Sequence, residues 1–214
     1  GGPGIVIGFN EDIAWGVTNA GVDVKDFYNI SFKDKTKTEY RYNEGWKAAT
    51  KRIETIKVRH EADIIDTVTY THLGTVAFED YGEYKQNLAM RWKAHEPSNE
   101  FKTFYLLNRA KNYGDYEAAL AYYECPAQNF VFADKDGDIA IWQQGRFPLR
   151  YDEQGKFVLD GNKPEDEWQG YIPKEQTPHI KNPQRGFVSS ANQHPTDATY
   201  PYYYQSNDFE YYRN

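Results

Sequence analysis

The run Gly4-Ile-Val-Ile-Gly-Phe-Asn-Glu-Asp-Ile-Ala-Trp-Gly-Val-Thr-Asn-Ala-Gly-Val-Asp-Val-Lys-Asp-Phe-Tyr28 decides how the rest of the chain is read. Two short apolar segments, Ile5 to Gly8 and Ile13 to Trp15, flank the turn-prone Asn10-Glu-Asp12, a pattern that predicts a tight strand pair. After Trp15 the residues become small and polar. Gly16, Thr18, Asn19 and Gly21 make a strand end whose backbone can approach a ligand closely, as oxyanion binding requires. Asp23 and Asp26 follow, either as a solvated acidic turn or as carboxylates that join nearby carbonyls around a hard cation such as Ca²⁺.

Outward from this run the pattern is that of strands. Phe27 to Phe32, Thr38 to Tyr42, Ile53 to Val58 and Thr67 to Tyr70 alternate apolar with polar residues, as half-solvated antiparallel strands do. Lys33 to Lys37 reads as a charged hairpin tip. The period then changes: Thr103 to Lys111 and Tyr116 to Tyr123 predict two short amphipathic helices, the second capped by Asp115 and stopped by Pro126. Asn129 to Trp142 predicts a hairpin turning at Asp136-Gly137. Asp134, Asp136 and Asp138 imitate a calcium-binding loop but lack its closing acid, since the twelfth position is Gly145, so they read as a turn. From Gln144 to Pro183 the prolines space a long surface excursion.

At 214 residues the chain can bury a sizeable core, and its net charge of -7 argues against nucleic acid and anionic membrane as partners. No apolar run approaches the length of a membrane span. The single cysteine, Cys125, excludes an internal disulfide and reads as a buried structural thiol. Nineteen tyrosines and five tryptophans fit either packing of sheet faces or the lining of a sugar or acyl site. The five histidines have no metal spacing between them.

The opening run resembles the core signature of the penicillin acylase family, and further stretches match in the same order. These are His72-Leu-Gly74, Met90-Arg-Trp92, Asn129-Phe-Val-Phe-Ala-Asp-Lys-Asp-Gly-Asp-Ile139, Gly145-Arg-Phe-Pro148, Gly186-Phe-Val-Ser-Ser-Ala-Asn192, Tyr200-Pro201 and Arg213. The resemblance implies an α+β chain, part of an αββα N-terminal nucleophile hydrolase fold with antiparallel sheets and short helices. In that family an exposed Ser attacks an amide with its own α-amine as base. Here the first serine is Ser31, downstream of the signature, so residues 1–214 are expected to be a single internal segment lacking the nucleophile and inactive alone.

By the same resemblance, the Asn19 N–H and the Asn192 side-chain amide would form the oxyanion hole, with Arg213 near the nucleophile's amine. Ile7, Tyr105 and Gln128 would line the acyl pocket, and Gln128 departs from the apolar residue usual there. Ca²⁺ would be held by Asp23, Asp26 and the carbonyls of Lys25 and Pro148. Tyr204 stands where a further carboxylate is expected, and Asp208 is its candidate substitute. No organic cofactor is implied. The partners would be a small-molecule acyl amide and the remainder of the precursor, in a periplasmic or secreted parent. A noncatalytic carbohydrate-binding β-module is the alternative. A glycosidase built on Glu79 and Asp80 is disfavoured, because neighbours on a strand point to opposite faces.

Overall fold

The computed structural model describes residues 4–203. In chain order its elements are β1 (Gly8–Phe9), β2 (Ile13–Asn19), β3 (Lys25–Asn29), β4 (Glu39–Tyr42), β5 (Gly45–Ala48), β6 (Thr50–Ile56), β7 (Ile64–Thr71), β8 (Gly74–Tyr81) and β9 (Gln86–Trp92), followed by α1 (Glu100–Leu107) and α2 (Tyr113–Leu120). Then come β10 (Gln128–Asp134), β11 (Ile139–Gln144), β12 (Leu159–Asp160) and β13 (His179–Lys181). Sheets with a few short helices make this an α+β chain, as expected. It divides into two compact units. Among the described residues, the first holds 4–24, 96–151 and 169–203, and the second holds 25–95 and 152–168.

The first unit is built on a five-stranded antiparallel sheet in the order β1-β2-β10-β11-β13. Alternation along the strands sends Ile13 and Trp15 of β2, Phe130 and Phe132 of β10, and Ala140 and Trp142 of β11 to one face. There they pack on Leu107 of α1, on Tyr116, Ala119 and Leu120 of α2, and on Tyr123 just after it. The aromatic rings interlock: Tyr116 lies 4.8 Å from Phe132 and Tyr123 lies 4.9 Å from Phe130, centroid to centroid. Two buried hydroxyls of this core are paired with main-chain carbonyls, as burial of a polar group favours. The Tyr116 hydroxyl donates to the Phe130 carbonyl at 2.9 Å, and Thr103 donates to the Ala119 carbonyl at 2.9 Å.

Both helices begin and end about three residues earlier than the periodicity predicts. Asn112, not Asp115, caps α2: its side chain accepts the Asp115 N–H at 3.0 Å, while Asp115 reaches back to the Lys111 N–H at 2.9 Å. This is a reciprocal cap of the capping-box kind, in which the third helical residue carries the carboxylate. Pro126 is not the stop, because α2 has already ended at Leu120 and Pro126 lies beyond it in a cis Cys125-Pro126 turn. Cys125 is half-buried, and its N–H donates to the Glu100 carboxylate.

The second unit is a six-stranded sheet in the order β12-β3-β9-β8-β7-β6, antiparallel except for the parallel pair β12 and β3, with the hairpin β4-β5 beside it in sequence. Its core is smaller: Tyr28, Ile30, Tyr40, Leu73, Val76, Ala89 and Leu159. The β6-β7 hairpin keeps Ile53, Ile56, Ile64 and Ile65 exposed. Lys33 to Lys37 is the charged turn expected, tied by Lys33 to Glu39. Glu79 and Asp80, however, both face Lys37, at 2.7 and 3.7 Å. A register shift in β8 and a positive φ of 49° at Asp80 break the alternation there. Strand β5 was not anticipated, since its exposed Gly45-Trp-Lys-Ala48 has no apolar alternation.

Candidate functional site

The end of β2 carries the site, and the ladder explains why. Asn19 stands opposite Gln128 and Thr18 opposite Asn129, and the Ala20 N–H donates to the Ala127 carbonyl at 3.1 Å. Antiparallel bonding alternates along a strand, so this bond sets the parity. The N–H and C=O of Asn19 therefore point away from β10, to the edge of β2 that β1 covers only at Ala14 and Trp15. A strand edge with unused amides is a ready donor surface.

The loop following residue 186 returns to this edge. The Asn192 side-chain amide donates to the Asn19 carbonyl at 2.8 Å across a separation of 173 residues. Asn192 has a positive φ of 68°, a region Asn tolerates better than most residues. Three more side chains complete the cluster. Thr18 Oγ1 and Ser190 Oγ lie 2.5 Å apart, and the amide of buried Asn129 reaches Ser190 Oγ at 3.1 Å, Thr18 Oγ1 at 3.3 Å and the Asn19 carbonyl at 3.4 Å. Thr18, Asn19, Asn129, Ser190 and Asn192 are all uncharged, so the cluster offers oriented hydrogen bonds and no titratable proton. Such donors suit the stabilisation of a developing negative oxygen.

The other sequence candidates fall in several places. Gln128 sits beside this cluster on β10, Ile7 is 61% exposed before β1, and Tyr105 is an exposed α1 residue stacked under Arg109. Asp23, in the first unit, lies 3.7 Å from the buried Arg150 guanidinium. Pro148, in the same unit, bridges to Tyr171. In the second unit, buried Asp26 accepts the Trp168 indole N–H at 2.5 Å, while Lys25 is exposed near the rings of Phe27 and Trp92. These oxygen donors are of the right kind for Ca²⁺, although no group of three or more Asp, Glu, His or Cys side chains suited to a metal occurs among the described residues. Arg213, Tyr204 and Asp208 lie outside the described residues.

Sequence reasoning named Thr18 only for the backbone of its strand end and did not single out the side chains of Thr18, Asn129 or Ser190. Each lies inside a recognised stretch, yet an uncharged polar residue has no spacing signature of its own. It also missed a second polar cluster, in the second unit. There the His72 ring contacts the Tyr40 hydroxyl at 2.8 Å through Nδ1 and Glu167 at 3.1 Å through Nε2, and the Tyr42 hydroxyl donates to the same carboxylate at 2.6 Å. Burial holds the His72 pKa below its ordinary value despite the neighbouring carboxylate. Burial acts to raise Glu167, but hydrogen bonds from Tyr42 and His72 and the charges of His72 and Arg91 outweigh it and hold the carboxyl low. The Glu167 contact pushes the Tyr42 hydroxyl up to about 12. This cluster ties the β7-β8 turn to the 164–168 segment.

The fold and site together define an α+β protein with backbone and side-chain amides gathered at a strand end. The chain belongs to the Penicillin amidase family, whose profile matches residues 1–214. It is 29% identical over 196 residues to the acyl-homoserine lactone acylase QuiP of Pseudomonas fluorescens, covering 89% of this chain and 24% of that protein. It is 26% identical over 194 residues to penicillin G acylase of Escherichia coli, covering 90% and 23%. Among solved structures it is similar to a thermostable penicillin G acylase from Alcaligenes faecalis, with a TM-score of 0.76 and 25% identity over 95% of this chain and 37% of that one. The chain thus spans about a quarter of the length of the curated relatives it matches. Among the described residues, no helix is long and apolar enough to cross a membrane.

Proposed function

We propose that this chain is the segment of a penicillin acylase-like hydrolase that supplies the oxyanion donors. The substrate would be a linear or cyclic carboxamide: an acylated β-lactam, an N-acyl-homoserine lactone or a related acyl amide. The observation that carries this reading is the meeting of Asn192 with Asn19 at 2.8 Å, where the parity of β2 turns the Asn19 N–H outward. Family membership and the names of the similar proteins support the substrate class.

In the proposed reaction a nucleophilic serine, supplied by the parent polypeptide outside residues 1–214, adds its oxygen to the amide carbon. Its proton passes to the serine's α-amine. The carbonyl π pair moves to oxygen, and the Asn19 N–H and Asn192 amide hold that negative charge. Collapse of the intermediate expels the amine, which takes the proton from the α-ammonium, and water then releases the acyl group. Arg213 would orient polar groups near that amine, and Ile7, Tyr105 and Gln128 would contact the acyl chain. A periplasmic or secreted location accords with such a parent.

The test is Asn192→Ala in the full-length processed protein, assayed on a chromogenic acyl anilide. Removing one oxyanion donor is expected to lower kcat by roughly 10²–10³ with little change in KM. Unchanged kcat would refute the assignment. The 214-residue chain alone is expected to give no turnover, because the proposed reaction draws its attacking serine from the parent polypeptide.

We further propose Ca²⁺ as a structural ligand of Asp23 and Asp26 with the carbonyls of Lys25 and Pro148, a reading supported by the family resemblance and the hard-oxygen chemistry. Calorimetry on the full-length protein is expected to detect binding that weakens in Asp26→Ala. Absence of binding in the unmutated protein would remove the site.

A further inference from the structure

We infer that Asn129 and Ser190 are positioning residues for Asn192, acting through the loop that carries it. The inference rests on the oxyanion reading above and assigns roles to two residues to which the family resemblance gave none.

Ser190 is the hub of the cluster. The Ser190 oxygen has two lone pairs and one proton. It lies within reach of the Asn129 amide at 3.1 Å and the Asn192 backbone N–H at 3.4 Å, both of which can only donate. The Ser190 hydroxyl also shares a hydrogen bond with Thr18 Oγ1, 2.5 Å away, in which either oxygen can be the donor. Thr18 belongs to the ladder of β2, one residue before Asn19. Ser190 therefore joins three things: the strand end, buried Asn129 of β10, and the backbone of Asn192 itself.

The loop is stiffened from its other side as well. The Gln193 side chain accepts the Ala191 N–H at 2.6 Å and donates to the Ser189 carbonyl at 3.1 Å, closing residues 189–193 on themselves. This closed loop meets the sheet through Ser190 and through the Asn192 amide on the Asn19 carbonyl. Asn192 also sits at a positive φ of 68°, which costs energy in a non-glycine residue unless its surroundings hold it there. A donor that must meet a developing charge gains from being held before the reaction, because reorganisation then costs nothing at the barrier. Asn129 is 3% exposed on a central strand, so it is a rigid anchor for that purpose.

The experiment is a double-mutant cycle on the full-length processed protein with the acyl anilide substrate. Ser190→Ala and Asn129→Ala are each expected to lower kcat by about tenfold, less than the 10²–10³ lost on removing the donor itself, with KM within about twofold. Ser190→Thr keeps the hydroxyl, and Ser190 borders a cavity of about 600 Å³ that has room for a methyl group, so this variant should recover most of the loss. In the Asn192→Ala background, Ser190→Ala should have almost no further effect on kcat, because residues acting through one partner are non-additive. A Ser190→Ala loss of equal size with and without Asn192 would overturn the inference, as would full activity of both single variants while Asn192→Ala is impaired. An unimpaired Asn192→Ala variant would instead remove the oxyanion reading beneath it. Should Asn129→Ala fail to fold, the Ser190 cycle decides alone.

Discussion

The two units invest their polar groups differently. In the first, a sheet packed on two helices buries a large aromatic core, and its uncharged hydrogen-bonding residues gather at one strand end, where Thr18, Asn129, Ser190 and Asn192 meet. In the second, a smaller core supports a sheet whose outer hairpin is exposed, and the side-chain cluster at the β7-β8 turn is titratable: His72, Glu167 and the tyrosines around them. The first arrangement suits a binding task that must not depend on protonation. The second suits tethering a turn, at the cost of sensitivity to acid. Rigidity behind a neutral donor cluster is what separates a candidate site from a polar strut.

The comparison is tested most severely by Phe130→Ala. Phe130 is fully buried and touches Phe104 and Tyr123, so its truncation is expected to cost about 3–5 kcal/mol in denaturant unfolding. A loss below about 1 kcal/mol would mean the first unit is not the stiffer one.

Gly74→Ala probes the second unit at its tethered turn. Gly74 has a φ of +118°, and an added Cβ would lie 2.1 Å from the Met90 carbonyl oxygen. The backbone must move, and a loss of at least about 1–3 kcal/mol is expected from the conformation alone. Gly45→Ala, where a Cβ meets nothing within 4 Å, is the control and should stay within about 0.5 kcal/mol. Equal losses at the two glycines would contradict the packing described here.

A gentler test is pH. Because burial holds His72 below its ordinary value of about 6.5, the folded state favours the neutral ring. Its contribution to stability is complete above that value. As pH falls through it toward the lower folded value, the unfolded chain takes the proton first and stability is lost. Glu167, held low, contributes above the ordinary carboxylate value of about 4.3, and that contribution is lost as pH falls through its folded value. An NMR titration should place the His72 midpoint below 6.5. A midpoint above it would mean that the Glu167 charge outweighs burial. The smallest effect is expected for Ile53→Ala, which at 69% exposure on the outer hairpin should change stability by no more than about 0.5 kcal/mol.

Much of the fold was legible before any coordinates. Asp136-Gly137 reads as a hairpin turn and is one, with Gly137 at a φ of 95°, because that dipeptide supplies the conformation the turn demands. The helices were visible by period but misplaced, since the periodicity weighed apolar spacing and overlooked the Asn112 cap. Glu79 and Asp80 were read as facing apart, which holds for a regular strand and fails where β8 shifts register. Asn19 and Asn192 were paired by family resemblance. Nothing in their spacing would have joined them.

Residues a few positions apart settle turns, strand alternation and the existence of helices, because those interactions depend on backbone conformation within one or two turns of chain. The meeting of Asn192 with Asn19 across 173 residues is of another kind, as is the placing of Asn129 beneath Ser190. Closing such distances is opposed by chain entropy at every step, and only the packing of the sheet and its returning loop makes it favourable. The chain's letters were sufficient for most of the elements and for the family; which uncharged side chains hold the donor in place was decided by the tertiary structure, which alone brings hydrogen-bonding groups so far apart in sequence within reach.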